Sequence, residues 1–343
     1  MKGLFGLDES EIKSWVVEKG EKPFRAAQIL EWLYQKQALS WDEMTNLPKS
    51  FRAELSAAFS LQVLKLVRTL DSADGETTKF LWQLADGKLV ESVLIYAPGR
   101  RTVCVSSQVG CPARCAFCAS GKQGLKRNLS PEEIVEQVVQ IDQYLSKKKE
   151  RVCHVVFMGM GEPFENYETV LKAISLLNDP KGLNISQRKI TISTVGIVEN
   201  IVRFADEGLQ VNLALSLHAP NQRIRQKIIP YARKYALEDL LTAMLYFAKK
   251  TKRDITYEYT LLSGINDSKE NAQELSRILK DHPCTVNLIP YNPIDGIHLK
   301  RPEKQQIEIF RQVLDLAKIP NTCRYTKGKD IAAACGQLAL QES

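Results

Sequence analysis

From residue 101 onward the chain alternates short apolar, β-branched runs with helical patterns six times, and no other feature constrains its fold as tightly. The runs span residues 102–107, 152–158, 189–194, 211–217, 255–262 and 285–289. Strands that recur with a helix between them imply a parallel sheet with helical crossovers, and an α/β partial (βα)6 barrel closes such a series economically. The clearest helix opens at Ser130-Pro131-Glu132-Glu133, where Ser130 caps, Pro131 takes the first helical position and Glu133 reaches back. Ile134, Val138, Ile141 and Leu145 supply its apolar stripe. Functional residues are then expected just past the strand ends.

The first hundred residues read differently. Asp8 and Glu11 have capping-box spacing, Gly20 ends that helix, and Pro23 suits the first turn of a second one running to Gln37. A third helix is expected over residues 49–59. Strands over 62–70, 77–84 and 88–96 follow, with Ala73-Asp74-Gly75 and Ala85-Asp86-Gly87 as turns. Residues 1–97 are therefore expected to form an accessory unit of helices plus a hairpin, and 98–343 the barrel with a C-terminal segment.

The net charge of +7 is uneven: residues 1–100 carry 13 Lys and Arg against 14 Asp and Glu, leaving 34 against 26 for the remainder. Lysine and arginine clusters at 122–127, 147–151 and 249–253 read either as solvated helix ends or as phosphate contacts, so a polyanionic partner is permitted. The sequence shows no secretion signal and no apolar run of about 18 residues, which points to a cytoplasmic protein without a membrane partner. Eight cysteines in such a chain point to metal ligation or redox chemistry rather than a disulfide framework.

Three of them, Cys111, Cys115 and Cys118, form C-x3-C-x2-C directly after the first strand of the series. A closed zinc site takes four ligands, whereas a four-iron cluster held by three thiolates keeps one iron free for an amino-acid cofactor. A zinc site completed by His154, Cys153 or Cys104 is the alternative. Gly161, Glu162, Ser193, Ser216, His218 and Asn292 fall at the ends of adjacent strands and offer bare backbone, acceptors or donors as a cofactor rim. Cys335 precedes Gly336, a pairing that suits a turn exposing a thiol, and Cys104 lies on the first barrel strand. Each also reads as a small buried hydrophobe. Glu91 is a carboxylate on an otherwise apolar strand, either enclosed or facing outward.

The cysteine triplet, with Phe117 before its last member, resembles the signature of the radical S-adenosylmethionine (SAM) superfamily. Met158-Gly-Met-Gly161-Glu162-Pro163, Ser216-Leu-His218-Ala-Pro-Asn221, Ser263-Gly-Ile-Asn-Asp267 and Asp330-Ile-Ala-Ala-Ala-Cys335-Gly-Gln-Leu338 resemble the bacterial dual-specificity 23S rRNA/tRNA adenine carbon-2 methyltransferases. That resemblance implies a [4Fe-4S] cluster on Cys111, Cys115 and Cys118, and two SAM molecules per turnover. It further implies SAM contacts from Gly161, Glu162, Ser193, Ser216, His218 and Asn292. Cys335 is then the methyl carrier, Cys104 its resolving partner and Glu91 the proton acceptor, while Cys153, Cys284 and Cys323 are structural. The implied partners are 23S rRNA at the peptidyl-transferase centre, tRNA at the adenosine 3′ of the anticodon, and a low-potential electron donor such as flavodoxin or ferredoxin.

The implied chemistry starts with methylation of the Cys335 thiolate by one SAM. A radical from the second SAM then takes hydrogen from the S-methyl group, the carbon radical adds to adenine, and a Cys104–Cys335 disulfide closes the cycle. The chain departs from the family pattern in the stretch 325–330, where Lys327 replaces a usual arginine and Lys329 a usual acid. An adenine carbon-8 23S rRNA methyltransferase conferring antibiotic resistance shares the cluster and both cysteines, and a non-catalytic zinc RNA-binding protein is the alternative of another class.

Overall fold

The computed structural model describes residues 2–324 and 327–338. Its centre is a ten-stranded sheet whose strands lie side by side in chain order. The first three, β1 (Lys65–Asp71), β2 (Thr77–Gln83) and β3 (Leu89–Ala97), form an antiparallel meander. Strand β3 also pairs antiparallel with β4 (Arg100–Cys104), which sets Val93 opposite Cys104. From β4 on the pairing is parallel through β5 (His154–Phe157), β6 (Ile190–Thr194), β7 (Asn212–Ser216), β8 (Ile255–Leu261), β9 (Cys284–Pro290) and β10 (Asn321–Cys323). The six expected barrel strands are all present, and the short β10 adds a seventh at the edge.

The strands of residues 65–97, grouped by sequence with the N-terminal helices, thus extend the barrel's own sheet. Strand alternation shows which face is apolar but not which neighbour a strand pairs with. The N-terminal helices are α1 (Glu9–Glu18), α2 (Arg25–Leu30) and α3 (Lys49–Ala58). The Asp8–Glu11 capping box is formed in both directions, and α2 continues through a π-type turn, Glu31–Gln35. The crossovers are α4 (Pro131–Ser146), α5 (Tyr167–Asn178), α6 (Val198–Asp206), α7 (Gln222–Ile228) with α8 (Leu237–Thr251), α9 (Lys269–Leu279) and α10 (Lys304–Leu316).

Helix α4 joins the two parts of the molecule. Its Ser130–Glu133 capping box forms, and Ile134, Val138, Ile141 and Leu145 are fully buried, each contributing about 1.5–3 kcal/mol relative to exposure. Its buried polar side chains have partners. Glu136 accepts from the Val63 and Leu64 amides at 2.8 and 3.1 Å, which docks the end of the helical unit on the barrel. Gln137 accepts from Ser92 Oγ and Ser106 N at 2.7 and 2.9 Å and donates to the Ser106 and Glu133 carbonyls, both at 3.0 Å. That network locks β3 to the segment leaving β4, and so fixes where the cysteine loop begins. Among the described residues no helix is long and apolar enough to cross a membrane.

Candidate active site

The loop after β4 carries Cys111, Cys115 and Cys118 to the strand C-terminal end of the barrel. It is fastened on two sides. Ala116 N donates to Ile228 O at the end of α7 (2.9 Å), while Ala119 N and Ser120 Oγ donate to Gly336 O and Leu338 O (2.8 and 2.6 Å). The C-terminal segment is therefore stitched directly onto the cysteine loop. Gly336 makes the expected turn at φ 83°, and a Cβ there would come within 3.1 Å of Phe117 O.

All three cysteines line one cavity of about 150 Å³ together with Gly161, Glu162, Ser193, Ser216, His218, Asn292 and Cys335. The strand ends that sequence marked as a rim thus converge. Gly161 has φ 112°, and a Cβ would lie 2.7 Å from Ser107 Oγ and 2.8 Å from Gln108 N, so the position admits only glycine without displacement. Glu162 binds inward: its carboxylate accepts from Phe164 N, Thr194 Oγ1 and Val195 N at 3.0, 2.7 and 2.7 Å, and burial raises its pKa to about 7. Its side chain thus ties the segment after β5 to the end of β6, and its own amide donates to Gln108 Oε1 at 2.8 Å. Ser193 Oγ and Ser216 Oγ lie 3.3 Å apart. His218 Nδ1 accepts from Thr260 N at 2.9 Å, so Nε2 bears the proton and is a donor, and burial followed by the charge of Arg225 lowers the ring's pKa to about 3. Asn292 Nδ2 donates to Cys335 O at 3.2 Å, placing the carrier candidate beside the rim.

Burial holds the thiols of Cys111, Cys115 and Cys118 above their ordinary range, that of Cys111 at about 12. Three protonated soft donors in an enclosed site become good ligands when a metal takes the place of their protons. Among the described residues no group of three or more His, Cys, Asp or Glu is already drawn together as a metal site, the cysteine triplet included. His154 lines a different cavity, with its Nδ1 3.2 Å from Cys153 Sγ. The donor set fits a cluster held by three thiolates with one iron left free.

Cys335 is exposed to the cavity, although the barrel wall around it pushes its thiol above the usual value, with the charge of Glu258 adding to the effect. Cys104 is buried, and burial with the neighbouring Cys335 raises its thiol to about 12. Both are free thiols. Glu91 is enclosed rather than outward-facing, yet it lines neither cavity. Its Oε1 pairs with Lys79 Nζ at 3.0 Å, and its buried Oε2 has no partner among the described residues. Lys79 also reaches Ala332 O at 3.4 Å, linking Glu91 to the Cys335 segment.

A second cavity of about 460 Å³ opens from the strand N-terminal end of the barrel. Among the described residues it shares Ile289, Asn292, Arg324 and Cys335 with the first. Its rim is basic, with Arg100, Arg188, Lys189, Arg324 and Lys327, of which Lys327 is held by Glu76 at 3.1 Å and Tyr96 O at 3.0 Å. Tyr325 and Thr326 of the departing stretch lie outside the described residues. Sequence reasoning missed Lys79, Arg225 and Glu258. Glu258 carried the signal used for Glu91, an acid inside an apolar strand, and it lines the cysteine cavity with Oε2 unpartnered.

The sequence pattern of the radical SAM superfamily matches residues 105–275, and that of the ribosomal RNA large subunit methyltransferase N-terminal domain matches residues 2–61. A probable dual-specificity RNA methyltransferase RlmN 2 of Protochlamydia amoebophila is 63% identical over 336 residues, covering 98% of this chain and 94% of its own. A probable dual-specificity RNA methyltransferase RlmN of Lysinibacillus sphaericus is 49% identical over 339 residues, or 99% and 89% of the two chains. The crystal structure of a radical SAM methyltransferase from Sphaerobacter thermophilus superposes with a TM-score of 0.97 at 43% identity, covering 98% of this chain and 99% of that one. A [4Fe-4S] cluster and SAM are the cofactors of this fold, in agreement with the three-thiolate cavity. With its cysteine triplet, its rim and its N-terminal unit all accounted for, the chain belongs to the RlmN family of radical SAM dual-specificity RNA methyltransferases.

Proposed function

We propose that this chain methylates carbon 2 of adenosine in 23S rRNA, at the peptidyl-transferase centre, and in tRNA, 3′ of the anticodon, with Cys335 carrying the methyl group. The observation that carries the reading is the position of Cys335, which lines both the cysteine cavity and the basic one. A carrier must meet a donor on one side and an acceptor on the other.

Cys111, Cys115 and Cys118 hold the cluster, and Gly161, Glu162, Ser193, Ser216, His218 and Asn292 seat SAM. When bound, these groups supply a methyl cation equivalent and, after one-electron reduction by a flavodoxin- or ferredoxin-type donor, a hydrogen-abstracting radical. His218 offers its Nε2 proton and Ser193 and Ser216 their hydroxyls, so the rim orients a polar ligand without adding charge. Cys335 must lose its proton to attack the sulfonium methyl, because thiolate is the nucleophile. The electron-poor adenine carbon cannot displace that methyl directly, which is why a cysteine-borne carbon radical is needed. The adduct gives its odd electron back to the one-electron couple that supplied the radical and its ring proton to a base, for which the resemblance assigns Glu91, linked to the Cys335 segment through Lys79; the Cys104 thiolate then attacks the Cys335 sulfur to release the base.

RNA is met at the basic cavity, whose rim of Arg100, Arg188 and Lys189 matches a phosphodiester backbone while the target base is extruded inward. Residues 1–97 serve as the accessory unit for RNA recognition and residues 98–343 as the catalytic barrel, in a cytoplasmic protein. Anaerobic turnover with methyl-labelled SAM, followed by nucleoside mass spectrometry of rRNA and tRNA, tests the reading. Label in 2-methyladenosine is expected. Label in 8-methyladenosine, or none in either RNA, overturns it.

A further inference from the structure

Arg225 on α7 is fully buried, yet among the described residues no carboxylate pairs with it. Its guanidinium donates instead to three carbonyls: Nη2 to Val195 O (2.5 Å) and Ser216 O (3.3 Å), and Nε to Leu217 O (3.2 Å). Those carbonyls sit at the ends of β6 and β7, immediately beside Ser193, Ser216 and His218. The helix carrying Arg225 also accepts, through Ile228 O, the amide of Ala116 next to Cys115. Ile224 and Ile228, on either side of Arg225 in this helix, share one buried cluster with Cys111 and Phe117, and Cys115 and Cys118 pack against it. A guanidinium removed from water without a counter-charge is costly, and proteins keep such groups where an anion completes them. A cysteine that ligates iron is a thiolate, and Cys115, packed against this apolar cluster, would supply that anion.

We propose that Arg225 is a positioning residue for the cluster: it supplies the buried counter-charge to the Cys115 side of the iron–sulfur centre and clamps the two strand ends that seat SAM. The proposal rests on the cluster assignment above. A fixed cation beside the centre favours its more negative, reduced form, so Arg225 makes one-electron reduction easier. Neutralising it makes reduction harder by roughly tenfold, taking one charge at an interior effective dielectric, which corresponds to about 59 mV for a one-electron couple.

The test is a potentiometric titration, followed by electron paramagnetic resonance, of the anaerobically reconstituted wild type, Arg225→Lys and Arg225→Met, each checked by circular dichroism and by iron and sulfide content. The expected result is a midpoint lowered by about 59 mV in Arg225→Met and retained in Arg225→Lys, with SAM affinity weakened in both because the three-carbonyl fork is lost. Should Met lose the fold, Arg225→Gln repeats the comparison with one donor kept. A midpoint unchanged by the neutral variant, or shifted equally by Lys and Met, overturns the electrostatic role. Wild type that takes up no iron or sulfide refutes the cluster itself, and the role of Arg225 with it.

Discussion

Lys79→Met isolates the buried ion pair on which the placement of Glu91 depends. Lys79 and Glu91 lie on adjacent strands of the meander, with side chains 9% and 4% exposed and a 3.0 Å contact. Glu91 Oε2 already lacks a partner, so removing the ammonium leaves a carboxylate with no remaining side-chain partner in the interior. Breaking a buried pair from one side costs about 3–5 kcal/mol, mostly as the penalty of the stranded charge. Replacing both partners removes that charge as well, so Lys79→Met with Glu91→Gln should recover all but about 1 kcal/mol. Urea unfolding of the wild type, both single variants and the double variant gives the coupling energy directly. A Lys79→Met variant within about 0.5 kcal/mol of wild type, the range of an ordinary surface change, would show that the pair does not hold Glu91 and would refute the reasoning.

Gly161→Ala puts a Cβ 2.7 Å from Ser107 Oγ at φ 112°, a strain of order 1–3 kcal/mol, and is expected to weaken SAM binding at least tenfold by equilibrium dialysis; affinity within twofold of wild type contradicts the rim geometry. Glu136 gives a pH signature. Burial raises its folded pKa to about 7, against about 4.3 unfolded. The folded state therefore binds the proton more tightly, and stability falls as pH rises between those values, by roughly 4 kcal/mol in all. Wild type should lose stability relative to Glu136→Gln between pH 5 and 8 in urea titrations, and parallel curves for the two proteins would disprove the assignment.

What the sequence made legible was local. The capping boxes at Asp8–Glu11 and Ser130–Glu133 are fixed by residues three apart, and strand periodicity located all six barrel strands, hence the strand ends at which Gly161, Ser193, Ser216 and His218 meet. The unreadable parts depend on partners far apart in the chain. Nothing in residues 65–97 announces that their sheet edge joins β4, since pairing is chosen by global packing. Arg225 reads as one more cation in a polar helix, and only the fold turns it toward the Val195, Ser216 and Leu217 carbonyls. Glu91 was found because an acid interrupts an apolar strand, but its partner Lys79 lies on the neighbouring strand, at a spacing that no local pattern encodes. The same distance effect separates Cys104 from Cys335, 231 positions apart in the chain and brought within electrostatic reach only by the barrel.

The claim most directly open to measurement is that Cys335 accepts the first methyl group. Wild-type protein incubated anaerobically with labelled SAM, then digested and examined by peptide mass spectrometry, should carry the label as S-methylcysteine at position 335 and not at Cys104 or Cys153. Protein that methylates RNA while its Cys335 peptide never acquires the label, or whose Cys335→Ala variant remains active, would contradict the account.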